Sequence, residues 1–105
     1  MRPIHLVRMD KVRPAVILTR ARSRRAMTKV TVAPITSNVR GLAVEVAVGP
    51  ANGLDRASVI NCDGIQTVEA ESIGRFVGFL HSDDEGALTQ ALINAFDLSI
   101  EDLPR

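Results

Sequence analysis

Lys11-Val12-Arg13-Pro14-Ala15-Val16-Ile17-Leu18-Thr19 is the stretch from which the rest of this 105-residue chain is best read. Proline locks its own φ and pushes the residue before it, Arg13, towards an extended conformation. Residues 15–19 are bulky and mostly β-branched, the mark of a buried strand. A guanidinium is therefore held where an apolar strand begins, with little freedom to fold back into water. It is permanently cationic, and its planar fork of donors suits a phosphate.

Upstream, Ile4-His5-Leu6-Val7-Arg8-Met9 reads as a strand with Ile4, Leu6 and Arg8 on one face and His5, Val7 and Met9 on the other. Asp10-Lys11-Val12 is short enough to make a hairpin with residues 15–19. Downstream, Arg20-Ala21-Arg22-Ser23-Arg24-Arg25 places four arginines in six positions and reads as an exposed basic loop. Residues 29–33 form a third strand that Pro34 breaks, and Ile35-Thr36-Ser37-Asn38 turns towards Gly41. Further strands are expected at 42–48, 57–62, 65–68 and 76–80, with turns at 49–53 and Asp63-Gly64 and a helical turn at 69–73. Ser82-Asp83-Asp84-Glu85 has the form of a capping box. The helix it would start carries Leu88, Leu92, Ala95 and Phe96 on one stripe, with Ala91 beside them, and ends near Asp97. Strands first and one long helix last predict a mainly β fold. It would be a small, strongly bent antiparallel sheet or barrel capped by a C-terminal helix.

Length predicts one domain over residues 1–105, and 46% hydrophobic residues predict a globular one. Tryptophan and tyrosine are absent and there are three phenylalanines, so the core must be aliphatic. Aromatic platforms for stacking bases are correspondingly few. Cys62 is the only cysteine, which excludes an intrachain disulfide and fits a reducing, cytoplasmic setting. With His5 and His81 far apart, neither a zinc site nor a cofactor is expected, and no apolar run approaches a membrane span. Residues 1–40 hold ten bases and one acid, +9; residues 41–105 hold three bases and eleven acids, −8. Such asymmetry predicts a polyanion-binding side and a separate acidic side.

Several short pieces, in this order, resemble the MazF/PemK family of toxin ribonucleases, the mRNA interferases. Arg13-Pro14 before an apolar strand is similar to one family motif, and Pro34-Ile35-Thr36-Ser37 to its Pro-[Ile/Val]-Thr-Ser motif. Gly53-Leu54, Ser58-Val59 and Cys62-Asp63 resemble the segment leading to its Ile-Arg-Thr motif, and Gly78-Phe79-Leu80 its Ile-Gly-x-Leu. The resemblance implies a small SH3-like barrel of antiparallel strands, shared with the gyrase poison CcdB. It implies a homodimer with single-stranded RNA bound along its interface. It also implies metal-independent cleavage that blocks translation, and a cognate MazE-like antitoxin whose disordered acidic segment would suit a basic face.

Metal-free RNA cleavage uses the 2′-hydroxyl as nucleophile. It needs a proton acceptor, a proton donor and positive charge around the phosphorane. By family position, Arg13 would supply charge and Thr36 a hydrogen bond to a phosphoryl oxygen. Asp63 is the next candidate for proton transfer, because arginine accepts protons poorly. His5 titrates in a useful range but stands alone. Expected RNA contacts are Lys11, Arg20, Arg22, Arg24, Arg25, Ser37, Asn61 and Gln66. The chain departs from the family at the short 10–12 loop, at Asn61 where some members carry arginine, and at Gln66 in place of the arginine of Ile-Arg-Thr. Two other readings stay open: a CcdB-like poison that binds a protein such as gyrase, and an RNA-binding module without activity.

Overall fold

The computed structural model describes residues 1–24 and 26–104. Their elements run β1 (Arg2–Arg8), β2 (Val12–Ile17), α1 (Ala21–Arg24), β3 (Lys29–Thr36), β4 (Glu45–Val48), β5 (Ser58–Asn61), β6 (Gln66–Glu69), β7 (Ile73–Leu80) and α2 (Glu85–Phe96). The strands form a curled antiparallel sheet in the order β4-β5-β3-β2-β1-β7, with β6 also on β3. Strand β3 is shared: β2 pairs with its residues 32–34, β6 with 29–32 and β5 with 35–36.

The sheet buries side chains on both faces, and β2 shows why. Val16 belongs to one cluster with Ile4, Ala33, Ile35, Ile60 and Leu80, covered by Leu88 and Ala91 of α2. Ala15 and Ile17 belong to the other, with Val7, Val30, Val32 and Val68. A strand buried on both faces has no polar positions to alternate with, hence the unbroken apolar run. In β1 the expected alternation holds: Ile4 joins the first cluster and Val7, with Met9 packed beside it, the second, so both are fully buried although three apart. The register of β1 against β7 is irregular, shifting between Ile4 and His5 and again between His5 and Val7.

Strand β2 begins at Val12 rather than 15, so Arg13 and Pro14 lie within the ladder, Arg13 opposite Val7 and Pro14 opposite Leu6. Pro34 does not break β3. Thr31 turns its carbonyl to the Leu18 amide at 2.9 Å and its own amide to Thr19 Oγ1, so odd residues of β3 face β2. Alternation then points Pro34, which has no N–H, to the opposite edge, between the parts paired with β6 and β5. Residues 21–24 of the basic segment form the short helix α1. The capping box is not made: residues 82–84 are a 3₁₀ turn, α2 starts at Glu85, and Asp84 caps without a side-chain bond. Glu85 instead takes Arg2 through Nη2 at 2.7 Å and Nε at 3.1 Å, a stronger charge-assisted partner than a neutral amide. Phe96 is exposed; Leu88 and Ala91 are the buried part of the helix stripe, with Leu92 and Ala95 packed beside them.

The chain crosses itself where Gly53 meets Gly78. Gly53 has φ +91°, and a Cβ on Gly78 would collide with the Asn52 carbonyl oxygen. Asn52 pins the crossing, donating from Nδ2 to the Phe79 carbonyl and accepting the Gly49 amide, each at 3.0 Å. Gly86, in the first turn of α2, has open space around it. Urea unfolding should therefore show Gly78→Ala destabilised by at least about 3 kcal/mol. Gly86→Ala should be stabilised by up to about 1 kcal/mol. Equal effects of the two would contradict the packing of the crossing.

Candidate functional site

Arg13 is placed by two neighbouring strands. Antiparallel pairing sets Ala15 opposite Pro34. Two residues further, the same register sets Arg13 beside Thr36 on one face of the sheet. On the other side of β3, Ile35 opposes Ile60, so Pro34 falls beside Asn61 on that face as well, and Glu45 opposes Asn61. Arg13, Thr36, Asn61 and Asp63 line a cleft of about 320 Å³, whose far wall is Arg40 and Glu45. Arg13 and Thr36 also border an adjoining groove of about 260 Å³ with Lys11 and Ser37. The two residues thus stand on a ridge with room on either side.

The Arg13 guanidinium is restrained but not used up. Its Nη2 bonds Asp10 Oδ2 at 2.9 Å, while its Nε is buried without a partner. The Lys11 backbone amide, and then Arg13, hold the Asp10 carboxyl below the usual range, so the pair is charged at neutral pH. Thr36 Oγ1 accepts the Asn38 amide at 3.1 Å, which leaves its own hydrogen free to donate. Asn61 is committed to structure: its Oδ1 accepts the Asp63 amide at 3.0 Å and so caps the 62–64 turn. That turn leaves Asp63 exposed at the cleft wall.

The remaining expected contacts divide. Lys11 and Ser37 stand beside Arg13 and Thr36. Gln66 lies on β6 opposite Val32, outside the cleft. Arg20 and Arg24 border a larger cavity of about 480 Å³ beside Arg2 and Glu85, and Arg22 is exposed on α1. Arg20 is seven residues beyond Arg13, up to about 23 Å of extended chain. Size does not make that cavity a reaction site, because it holds neither Arg13 nor Thr36. Arg25 lies outside the described residues. Nor is the basic half one face: Arg2 pairs with Glu85, and Lys29 approaches Glu69 at 4.0 Å. Sequence reasoning missed Asn38 and Arg40, which the 37–44 connection folds into the cleft, and Glu45, which the β4–β5 ladder sets there. Their only sequence signal was Gly41, read as a turn. Among the described residues, no three His, Cys, Asp or Glu side chains converge as metal ligands, and no helix is long and apolar enough to cross a membrane.

Residues 6–96 match the family described as PemK-like, MazF-like toxin of type II toxin-antitoxin system. The chain is 53% identical over 98 residues to Endoribonuclease MazF3 of Mycobacterium tuberculosis, covering 93% of this chain and 95% of that protein. Its structure is similar to Mycobacterium tuberculosis toxin MazF-mt6, with TM-score 0.92 and 52% identity over 93% of this chain and 99% of that one. An endoribonuclease from Mycobacterial species, in complex with its cognate antitoxin, shares the fold at TM-score 0.82 and 22% identity, over 92% of this chain and 93% of that one.

Cys62, beside Asp63, is 1% exposed. Burial first, and the Asp63 carboxylate second, push its thiol from 9.0 up to about 11. A neutral thiol is therefore the folded form. The stability this supplies is fully present below pH 9.0 and is lost as pH rises through about 11. The loss should be on the order of 3 kcal/mol, read as the difference in urea stability between wild type and Cys62→Ala across that window. A thiol reagent at pH 8 should label Cys62 only after denaturation; rapid labelling of the native protein would refute the assignment.

Proposed function

The chain belongs to the PemK-like, MazF-like toxin family of type II toxin-antitoxin systems, and on that footing we propose that the Arg13–Thr36 cleft is where it holds and cuts RNA. The protein is an endoribonuclease toxin. We read residues 1–105 as one toxin domain acting in the cytoplasm on single-stranded RNA, as a homodimer, and silenced by a MazE-like antitoxin. The observation that carries the site is the pairing of Arg13 and Thr36. They stand side by side on β2 and β3, on one face, with a cleft on each side.

The chemistry follows from what these groups can do. A 2′-hydroxyl attacks its neighbouring phosphorus, and negative charge builds on the non-bridging oxygens as the bond to the 5′-oxygen breaks and that oxygen takes a proton from water in the open cleft. Arg13 meets that charge from a fixed position, because the strand holds its backbone and Asp10 holds one arm of its fork. A charge already in place needs no reorganisation as the reaction proceeds. Thr36 donates its free hydroxyl hydrogen to a non-bridging oxygen. Asp63 is the proton acceptor: its carboxylate faces the cleft and no described side chain claims it. Asn61 contributes by presenting Asp63 rather than by touching phosphate. Lys11 and Ser37 line the path of the strand on the other side of the ridge.

Primer extension on a long transcript incubated with purified protein should reveal discrete cleavage sites, unchanged in EDTA. Arg13→Ala should lower the cleavage rate at those sites by about a hundredfold or more. Thr36→Val should cost about tenfold, the worth of one hydrogen bond. Both variants should keep the wild-type fold and oligomeric state. Undiminished cleavage by Arg13→Ala would end the site assignment; intact RNA with inhibited gyrase would be the behaviour of a protein-binding poison instead.

A further inference from the structure

Asn61 and Gln66 stand where the family resemblance implies a second arginine. Asn61 caps a turn and Gln66 is outside the cleft. The fold brings a guanidinium to the same cleft from elsewhere, on Arg40. The geometry points to Arg40 as a second phosphate-binding residue of this nuclease, one that grips the RNA backbone at a different phosphate from the one Arg13 serves. This rests on the reading of the Arg13–Thr36 cleft as the RNA site and adds a contact to it.

Three features support the role. First, the root of Arg40 is fixed. The Glu45 carboxylate accepts the Gly41 amide at 2.8 Å, the Leu42 amide at 3.0 Å and the Arg40 amide at 3.3 Å. The Glu45 amide returns a bond to the Leu42 carbonyl at 3.1 Å. Gly41 at φ +73° permits the tight turn this needs. Glu45 is itself set in the ladder opposite Asn61, so the loop is tied to the strand next to β3. A carboxylate occupied by three amides is poorly placed to neutralise the arginine beside it. Second, Arg40 is exposed, and its side chain has no ion-pair or hydrogen-bond partner among the described residues. It therefore differs from Arg2, which Glu85 claims, and from Arg13, which Asp10 restrains. Third, the Arg40 amide is tied to Glu45 at the start of β4, three strands from β2 in the sheet order. Arg13 from β2 and Arg40 from the connection beyond β3 thus border one cleft from different sides, which suits successive points along an extended polyanion better than one phosphorane.

An interaction made equally in the bound and transition states changes KM and leaves kcat alone. The test uses the full-length protein and a short RNA oligonucleotide spanning a site mapped on a long transcript. Arg40→Ala should raise KM about tenfold and leave kcat within about twofold. The dependence of log(kcat/KM) on log[salt] should flatten by about 0.7, the value of one single-strand phosphate contact. Arg40→Lys should restore the salt slope. A kcat loss at unchanged KM, or an unaltered salt slope in Arg40→Ala, would overturn the proposal. Because only backbone amides of residues 40–42 bond Glu45, Arg40→Ala keeps the loop, and its effect on KM reads the side chain rather than the loop. If Arg13→Ala also cleaves normally, the cleft reading itself has failed. If Arg13→Ala is inactive while Arg40→Ala behaves as wild type, the cleft reading stands and the Arg40 role alone falls.

Discussion

Pro34 lacks an amide hydrogen, and the sheet is arranged around the one place where that lack does no harm. Strand β3 uses its odd residues to bond β2 and its even residues to bond first β6 and then β5. Pro34 is the even residue between those two ladders, so the missing donor falls where no strand asks for one. The gap is filled by the turn at Cys62–Gly64, the link between β5 and β6. Gly64 packs against the Pro34 ring so closely that a Cβ there would lie 2.8 Å from it. The same turn buries Cys62 and holds Asp63 outward. The proline that seemed to end a strand is thus what lets one strand serve two others and what opens the cleft between them.

The consequence is chemical as well as architectural. Since β3 continues past Pro34, Thr36 remains in register with Arg13. Had the strand stopped at the proline, Thr36 would sit in a loop with no fixed relation to β2. The cleft is therefore built from ladder positions on four adjacent strands plus the 62–64 turn and one strapped loop, and backbone hydrogen bonds set its geometry. Surface ion pairs contribute little of that order: each is worth about 1 kcal/mol or less. Their use is local. Asp10 aims Arg13, whereas Glu85 and Glu69 lie near Arg2 and Lys29 away from the cleft. The contrast of +9 and −8 between the two parts of the chain does not survive as two opposite faces, because folding interleaves them.

Much of the fold was legible because its signals are short-range. The apolar run after Pro14, the alternating strands, the turn at 49–53 and the terminal helix all depend on neighbours within a few residues. The errors also have local causes. A capping box competes with any stronger partner for its glutamate, and Arg2, remote in sequence, won that competition. Pro34 reads locally as the end of a strand, because the two ladders on its other edge come from residues 59–60 and 66–69, far along the chain.

By itself the sequence determined the class of fold, and its resemblance to the family's motifs singled out the two residues, Arg13 and Thr36, on which the proposed site rests. It could do so because the strand signals are local and because Arg-Pro before a strand and Pro-Ile-Thr-Ser are short contiguous motifs. Only the tertiary structure decided which charges share a cleft. It set Gln66, Arg20 and Arg24 apart from Arg13, and it brought in Arg40 and Glu45, which had no motif to announce them. The physical reason is that proximity across a sheet follows from ladder register and loop closure. Neither is written in the spacing of residues along one strand.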